Sequence, residues 1–161
     1  MAEPWIPIAE HPVGRTIAAF AARSYVSGDP EGEGLRVRYE ARGAGTRAEL
    51  GATAWFGPRT QGPPGHAHGG STAALLDEAM GLAVWLAHTS ALAAHIEVDF
   101  RAPVPLGVTA RVETAVVAAD ERKASVTARL VGPGGELLAE SRGVFVLVAE
   151  RHASRFRTGG A

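Results

Sequence analysis

The segment GPPGHAHGGSTAALLDEAMG, residues 62–81, constrains this chain more than any other, because it opens a helix with no polar side to leave in water. From Ser71 or Thr72 through Ala87 the residues are almost all Ala, Leu, Met, Val and Trp, and only Asp77 and Glu78 are ionisable. A helix apolar all round has to be buried on most of its surface. An ionised carboxylate within such a surface is costly unless it is paired, hydrogen-bonded or solvated by a cleft, and a working site is a common form of that compensation. The run is about 27 Å long at roughly 1.5 Å per residue, close to the length of a membrane span. Two adjacent acids near its centre argue against hydrocarbon, so it reads as the core helix of a soluble protein.

The flanks supply the cover. Leu35, Val37, Tyr39 and Ala41 alternate with Arg36, Arg38, Glu40 and Arg42, the period of a strand with one wet face. Arg47 to Trp55 repeats the pattern with Ala48, Leu50, Ala52 and Ala54 on one side, after a turn at Gly43–Gly45. Beyond the helix, Ala94, Ile96, Val98 and Phe100 alternate with His95, Glu97 and Asp99, and Pro103 and Pro105 end that strand or confine it to an edge. Val108 to Val117 and Lys123 to Val131 form a hairpin around AADER, and GPGG turns the chain into Glu136 to Val148. Two strands, one long helix and four strands suggest an antiparallel sheet curved around the helix. A second subunit is expected to cover what the sheet leaves open.

Residues 1–33 read as an arm with Pro4, Pro7 and Pro12, a short helix or strand over Thr16–Arg23, and a loop over Ser27–Gly34. The main domain is expected at 34–149, and 150–161, with Arg151, Arg155 and Arg157, as a solvated, disordered tail. The 161 residues suit one domain. Sixteen Lys and Arg against seventeen Asp and Glu create no field for nucleic acid or an anionic membrane. Without cysteine there is no disulfide, thiolate nucleophile or cysteine-held zinc, and the N-terminus lacks a signal-peptide pattern. A cytoplasmic location is the expectation.

At the helix mouth, the backbone N–H groups of Gly69 and Gly70 are open to a ligand atom and form a candidate oxyanion or anion site. The same glycines would also serve plain close packing of helix on sheet. His68 could orient a carbonyl or hold the loop. Asp77 stands nine residues after His68, with Gly81 one turn further on its face, and Glu78 is rotated by about 100° from it. One acid is therefore expected to function and the other to make an ion pair or an interface contact. Alternatively, both pair with arginines such as Arg36, Arg101 or Arg129. His66 and His68 form an H-x-H pair with no third ligand at a clear spacing, so no metal is expected. No G-x-S-x-G elbow and no phosphate-binding glycine motif occurs.

GPPGHAHGG, then LLDEAMG, then HIEVDFRAPVPLG resemble the hotdog-fold acyl-CoA thioesterases of the phenylacetate-degradation type, over about residues 34–149. The resemblance implies an α+β hotdog fold, a long central helix wrapped by a curved antiparallel sheet of five to six strands. It also implies a homodimer or homotetramer with sites at the dimer interface. The implied reaction is hydrolysis of an acyl-CoA thioester to free acid and CoA, needing no cofactor beyond the CoA of the substrate. By position, Asp77 matches the acid that activates water or attacks the carbonyl, and His68, Gly69 and Gly70 match the family's H-G-G, with the N–H after the histidine polarising the thioester. Arg122 and Lys123 match a basic pair that reaches CoA phosphates. The chain departs from the family twice: a Ser or Thr of the strand after the helix falls at Ala93, and a polar residue of the loop before H-G-G falls at Gly62. His95, expected on the same strand face as Ala93, is the candidate to compensate as a substrate-binding residue. Trp85, Leu86 and Met80 are candidates for an acyl tunnel. The missing hydroxyl motivates an alternative, a non-catalytic acyl-CoA-binding or sensor module on the same fold. A hydratase is set aside because its D-x-N-P-x-H pattern is absent.

Overall fold

The computed structural model describes residues 3–149 and 152. At its centre lies the expected helix, α2 (Gly69–Ala87), preceded by a short helix α1 (Gly14–Ala21). The strands are β1 (Ile6–Pro7), β2 (Leu35–Arg42), β3 (Glu49–Phe56), β4 (Ala91–Phe100), β5 (Thr109–Ala119), β6 (Lys123–Val131) and β7 (Leu137–Leu147). They form one sheet in the order β1, β2, β3, β5, β6, β7, β4, with every pairing antiparallel. This is the hotdog architecture, a central helix packed on a seven-stranded antiparallel sheet. Apart from His152, the tail expected over 150–161 lies outside the described residues.

The helix is covered as its composition demands. Leu75, Leu76, Ala79, Met80 and Val84 have no exposed surface. They share one core cluster with the inward residues of β2, β3, β5, β6 and β7, including Ala52, Ala54, Val112, Val126 and Leu130. Small residues on β3 keep the sheet close to the helix. Among the described residues no helix is long and apolar enough to cross a membrane.

Two features differ from the expected pattern. The proline-bearing arm contributes a seventh strand, β1, which pairs Ile6 with Ala41 and Pro7 with Glu40. Its position at the sheet edge is where a proline, having no N–H to donate, is tolerated. Trp5 beside it lies against the guanidinium groups of Arg42 and Arg111, 4.5 and 4.9 Å from the ring centroid. The second difference is a bulge in β4: Ala93 pairs with Phe145 and His95 with Val144, so Ala94 is an extra residue. Such an insertion reverses the alternation beyond it. Ala91 and Ala93 face the helix side before the bulge, and Ile96 and Val98 pack against the core after it. Between the alternatives left open at Thr16–Arg23, the chain takes the helix, which buries Ile17 and Ala21 one turn apart.

Leu76 has no exposed surface, so Leu76→Ala is expected to cost about 2–5 kcal/mol, measured as a lower urea midpoint at unchanged m-value.

Candidate active site

The loop ahead of α2 is held by its own backbone. Gly62 N–H donates to the His66 carbonyl at 2.9 Å, Ala67 N–H to that of Val104 at 2.8 Å, and His68 N–H to that of Thr60 at 2.6 Å. His68 thereby reaches the N-cap of α2, where its Nδ1 accepts the Gly70 N–H at 2.8 Å. A neutral imidazole that accepts at Nδ1 carries its proton on Nε2, so His68 presents a donor on its far side. Ser71 Oγ donates to the His68 carbonyl at 2.7 Å.

This arrangement separates the two glycines. The N–H of Gly70 is committed to His68, which corrects the expectation that it is open to substrate. The N–H of Gly69, at the first helical position, lies outside the intrahelical ladder. Gly69 opens into a groove of about 400 Å³ bordered by His66, Thr72, Phe100 and Pro103. A Cβ at Gly69 would stand 3.3 Å from the Phe100 ring. At Gly62 a Cβ would lie 2.8 Å from the His68 Cα, so no side chain fits there while His68 caps the helix.

The two acids of α2 have opposite surroundings. Glu78 accepts from Tyr39 Oη at 2.8 Å, from Ser27 Oγ at 2.5 Å and from Ser24 Oγ. Asp77 is half-buried, and its Oδ1, shielded from solvent, has no hydrogen-bond partner among the described residues. Burial, and then the charge of Glu78, push the Asp77 carboxyl above the ordinary aspartate value. Burial and Glu78 likewise hold the Tyr39 phenol well above its ordinary value. Asp77 opens into a groove of about 370 Å³ bordered by Gly81, Trp85, Ala93 and the Phe20–Val26 segment. The alternative of arginine partners for both acids does not hold. Arg36 donates to the Gly32 carbonyl and lies over Trp55, Arg101 pairs with Glu140 and Asp99, and Arg129 pairs with Glu113.

Ala93 does border the Asp77 groove, but His95 does not. The bulge at Ala94 turns His95 to the opposite face of the sheet, where its Nε2 is 3.9 Å from Glu97 Oε1. His95 is therefore withdrawn as a substrate contact. Arg122 and Lys123 follow a turn in which Asp120 Oδ1 accepts both of their N–H groups, at 2.7 and 2.9 Å. Lys123 is in register with Val146, and Val146 with Leu92, so the pair sits at the sheet level of the Asp77 groove without lining it. Of the three tunnel candidates only Trp85 borders this groove, Met80 and Leu86 being buried. Residues that sequence reasoning missed include Phe20, Tyr25 and Val26, which wall the groove, and the hydroxyl donors Ser24, Ser27 and Tyr39. The only hint of them was that a buried acid needs donors from somewhere.

Residues 64–139 match the family model described as Thioesterase superfamily. The chain is 28% identical to the acyl-coenzyme A thioesterase THEM4 of Xenopus laevis over 91 residues, 56% of this chain and 41% of that protein. It thus spans about two fifths of that relative's length. The PaaI protein of the Escherichia coli phenylacetic acid degradation operon superposes with a TM-score of 0.69 at 16% identity, over 84% of this chain and 92% of that one. A Streptococcus mutans protein solved bound to acetyl CoA superposes with a TM-score of 0.63 at 15% identity, over 69% of this chain and 89% of that one. The central segment is thus similar to the thioesterase superfamily, and the chain has a hotdog fold. The Escherichia coli protein is one of many structures sharing this fold, so the comparisons do not single out the phenylacetate-degradation type.

Because the fold raises the Asp77 pKa, it favours the protonated carboxyl. Its stabilising contribution is complete below the unfolded value and is lost as pH rises through the folded one. Asp77→Asn is accordingly expected to raise the melting temperature at pH 7. The gain should shrink as pH falls through the raised pKa toward the ordinary value of 3.8, as read by scanning calorimetry across that range.

Proposed function

We propose that this chain hydrolyses an acyl-CoA thioester to the free acid and CoA. The observation that carries this is Asp77, an unpartnered carboxylate facing an apolar groove, on the helix whose first N–H, at Gly69, is left without an intrahelical acceptor. The family match and a relative named as an acyl-coenzyme A thioesterase support the reaction class. The neighbour bound to acetyl CoA supports the ligand.

Asp77 and Gly69 lie about 12 Å apart along the helix at roughly 1.5 Å per residue, and their grooves share no lining residue. One chain therefore does not bring them together. Edge strand β4 borders both grooves, at Ala91–Ala93 beside Asp77 and at Phe100 beside Gly69. Its Leu92 and Phe100 are 50% and 58% exposed. Antiparallel pairing of β4 with that of a second copy sets the start of one strand against the end of the other. Each Asp77 groove then meets the Gly69 groove of the other chain, giving a homodimer with two composite sites.

In each site Asp77 takes a proton from water as the water oxygen bonds to the thioester carbon. Gly69 of the partner subunit donates to the forming oxyanion, helped by the positive end of its helix. Collapse breaks the C–S bond, and the CoA sulfur leaves with a proton. The same geometry also serves direct attack by Asp77 through an anhydride that water then opens. A raised pKa makes Asp77 a stronger base than an ordinary aspartate. His68 holds the loop and the Gly70 N–H, which leaves the oxyanion position to Gly69. Arg122 and Lys123, at the level of the groove mouth, are assigned to the CoA phosphates. Ala93 supports the second reading, a binding or sensor module, because it puts a methyl group where the family carries a hydroxyl.

With no cysteine in the chain, a thiol reagent reads CoA release without protein background. Wild type is expected to release CoA, and Asp77→Asn to lose about 10²–10⁴-fold in kcat while still binding CoA by calorimetry. Tight binding by wild type without turnover would select the sensor reading. A co-expressed mixture of Asp77→Asn and Gly69→Val chains, each inactive alone, is expected to recover about a quarter of wild-type activity, since a mixed dimer rebuilds one intact site. No recovery would rule out the composite site.

A further inference from the structure

The Asp77 groove is bordered at one end by a segment outside the region that matches the family model, residues 64–139. Phe20, on α1, meets Trp85 of α2 edge to face, with centroids 5.8 Å apart and planes at 71°. Trp85 lies eight residues beyond Asp77, about two turns or 12 Å along the helix. Between them stands Gly81, with no side chain to narrow the passage. The Phe145 ring lies 3.3 Å from where a Gly81 Cβ would be.

The wall that carries Phe20 is fastened at one point of α2. Ser24 and Ser27 both donate to Glu78, the neighbour of Asp77, and Tyr39 of β2 donates to the same carboxylate. Ser27 Oγ also contacts the Ala21 carbonyl at 3.1 Å, and Ser24 Oγ accepts the Val26 N–H at 3.0 Å. The end of α1 and the turn after it are thereby tied to the helix at the level of the reacting groups. Ile17 and Ala21 anchor the body of α1 in the core, while the turn after it is held to α2 through Glu78.

We propose that residues 18–27, pinned to α2 by Glu78, gauge acyl length, with Phe20 against Trp85 as the end stop of the groove. This deepens the hydrolase reading and rests on it for the identity of the occupant. An extended chain covers about 1.2 Å per bond, so the passage from Asp77 to Trp85 suits a straight acyl group of roughly eight to ten carbons. Phe20 and Trp85 are specificity residues in this scheme. Glu78, Ser24 and Ser27 are positioning residues.

The test is the dependence of kcat and KM on chain length across straight-chain acyl-CoAs, for wild type, Phe20→Ala, Phe20→Trp and the double variant Ser24→Ala/Ser27→Ala. Wild type is expected to peak near eight to ten carbons. Phe20→Ala should move the optimum to longer chains, raising the ratio of long-chain to optimal-chain kcat/KM by about tenfold, at roughly fourfold per buried methylene. Phe20→Trp should move it to shorter ones. The double serine variant should flatten the profile through KM with kcat little changed. Because each ratio is internal to one variant, a general loss of folded protein cannot mimic these opposite shifts. An optimum that stays in place in both Phe20 variants, or moves the same way in both, would overturn the gauge. If wild type turns over no thioester, the same series of acyl-CoA thioethers is titrated by calorimetry. A Kd optimum that Phe20→Ala moves keeps the gauge while the hydrolase reading fails, and a Kd indifferent to Phe20 removes it.

Discussion

A helix with no polar face demands cover on all sides, and the rest of this chain is arranged to meet that demand. The sheet curls along α2 with small residues on β3, so the backbones come close and Leu75, Leu76 and Met80 reach full burial. The sheet ends at β4, however, and among the described residues the helix is covered along that edge by an exposed strand and the α1 segment. The grooves lie at this incomplete side. The candidate site and the unfinished packing are one place, since a fully wrapped helix would leave no room for a ligand beside its acids.

The acids themselves divide the polar work. Glu78 is satisfied by three hydroxyls and so behaves as part of the framework, at the cost of holding charge in a poor solvent. That retained charge acts on its neighbour, adding to the burial that lifts the Asp77 pKa. A single dipeptide thus contains an acid held by hydroxyl donors and one without them, distinguished by which side of the helix supplies donors.

Local and periodic information was readable from the amino acids. The helix, the six longer strands and the separation of Asp77 from Glu78 all follow from spacing, because burial on one face repeats at a fixed interval. What escaped was information carried by contacts distant in sequence or by a single extra residue. Ser24 and Ser27 lie some fifty positions from Glu78, and nothing about them as isolated serines marks them as its donors. Ala94 looks like any alanine in an alternating strand, yet as the bulged residue it sends His95 away from the groove. The two-residue β1 is too short for a periodicity to exist at all. Gly69 and Gly70 are equivalent as letters, and only the His68 ring tells them apart.

The two departures from the family pattern are different in kind. At Ala93 the backbone passes beside an open groove, so the alanine is a choice among side chains that the same path would accept. At Gly62 the path itself runs against His68, and the space a side chain would need is already taken. The first position is free to change one residue at a time. The second is coupled to the loop that delivers the helix cap, so a polar group can return there only if the route of the whole loop is redrawn.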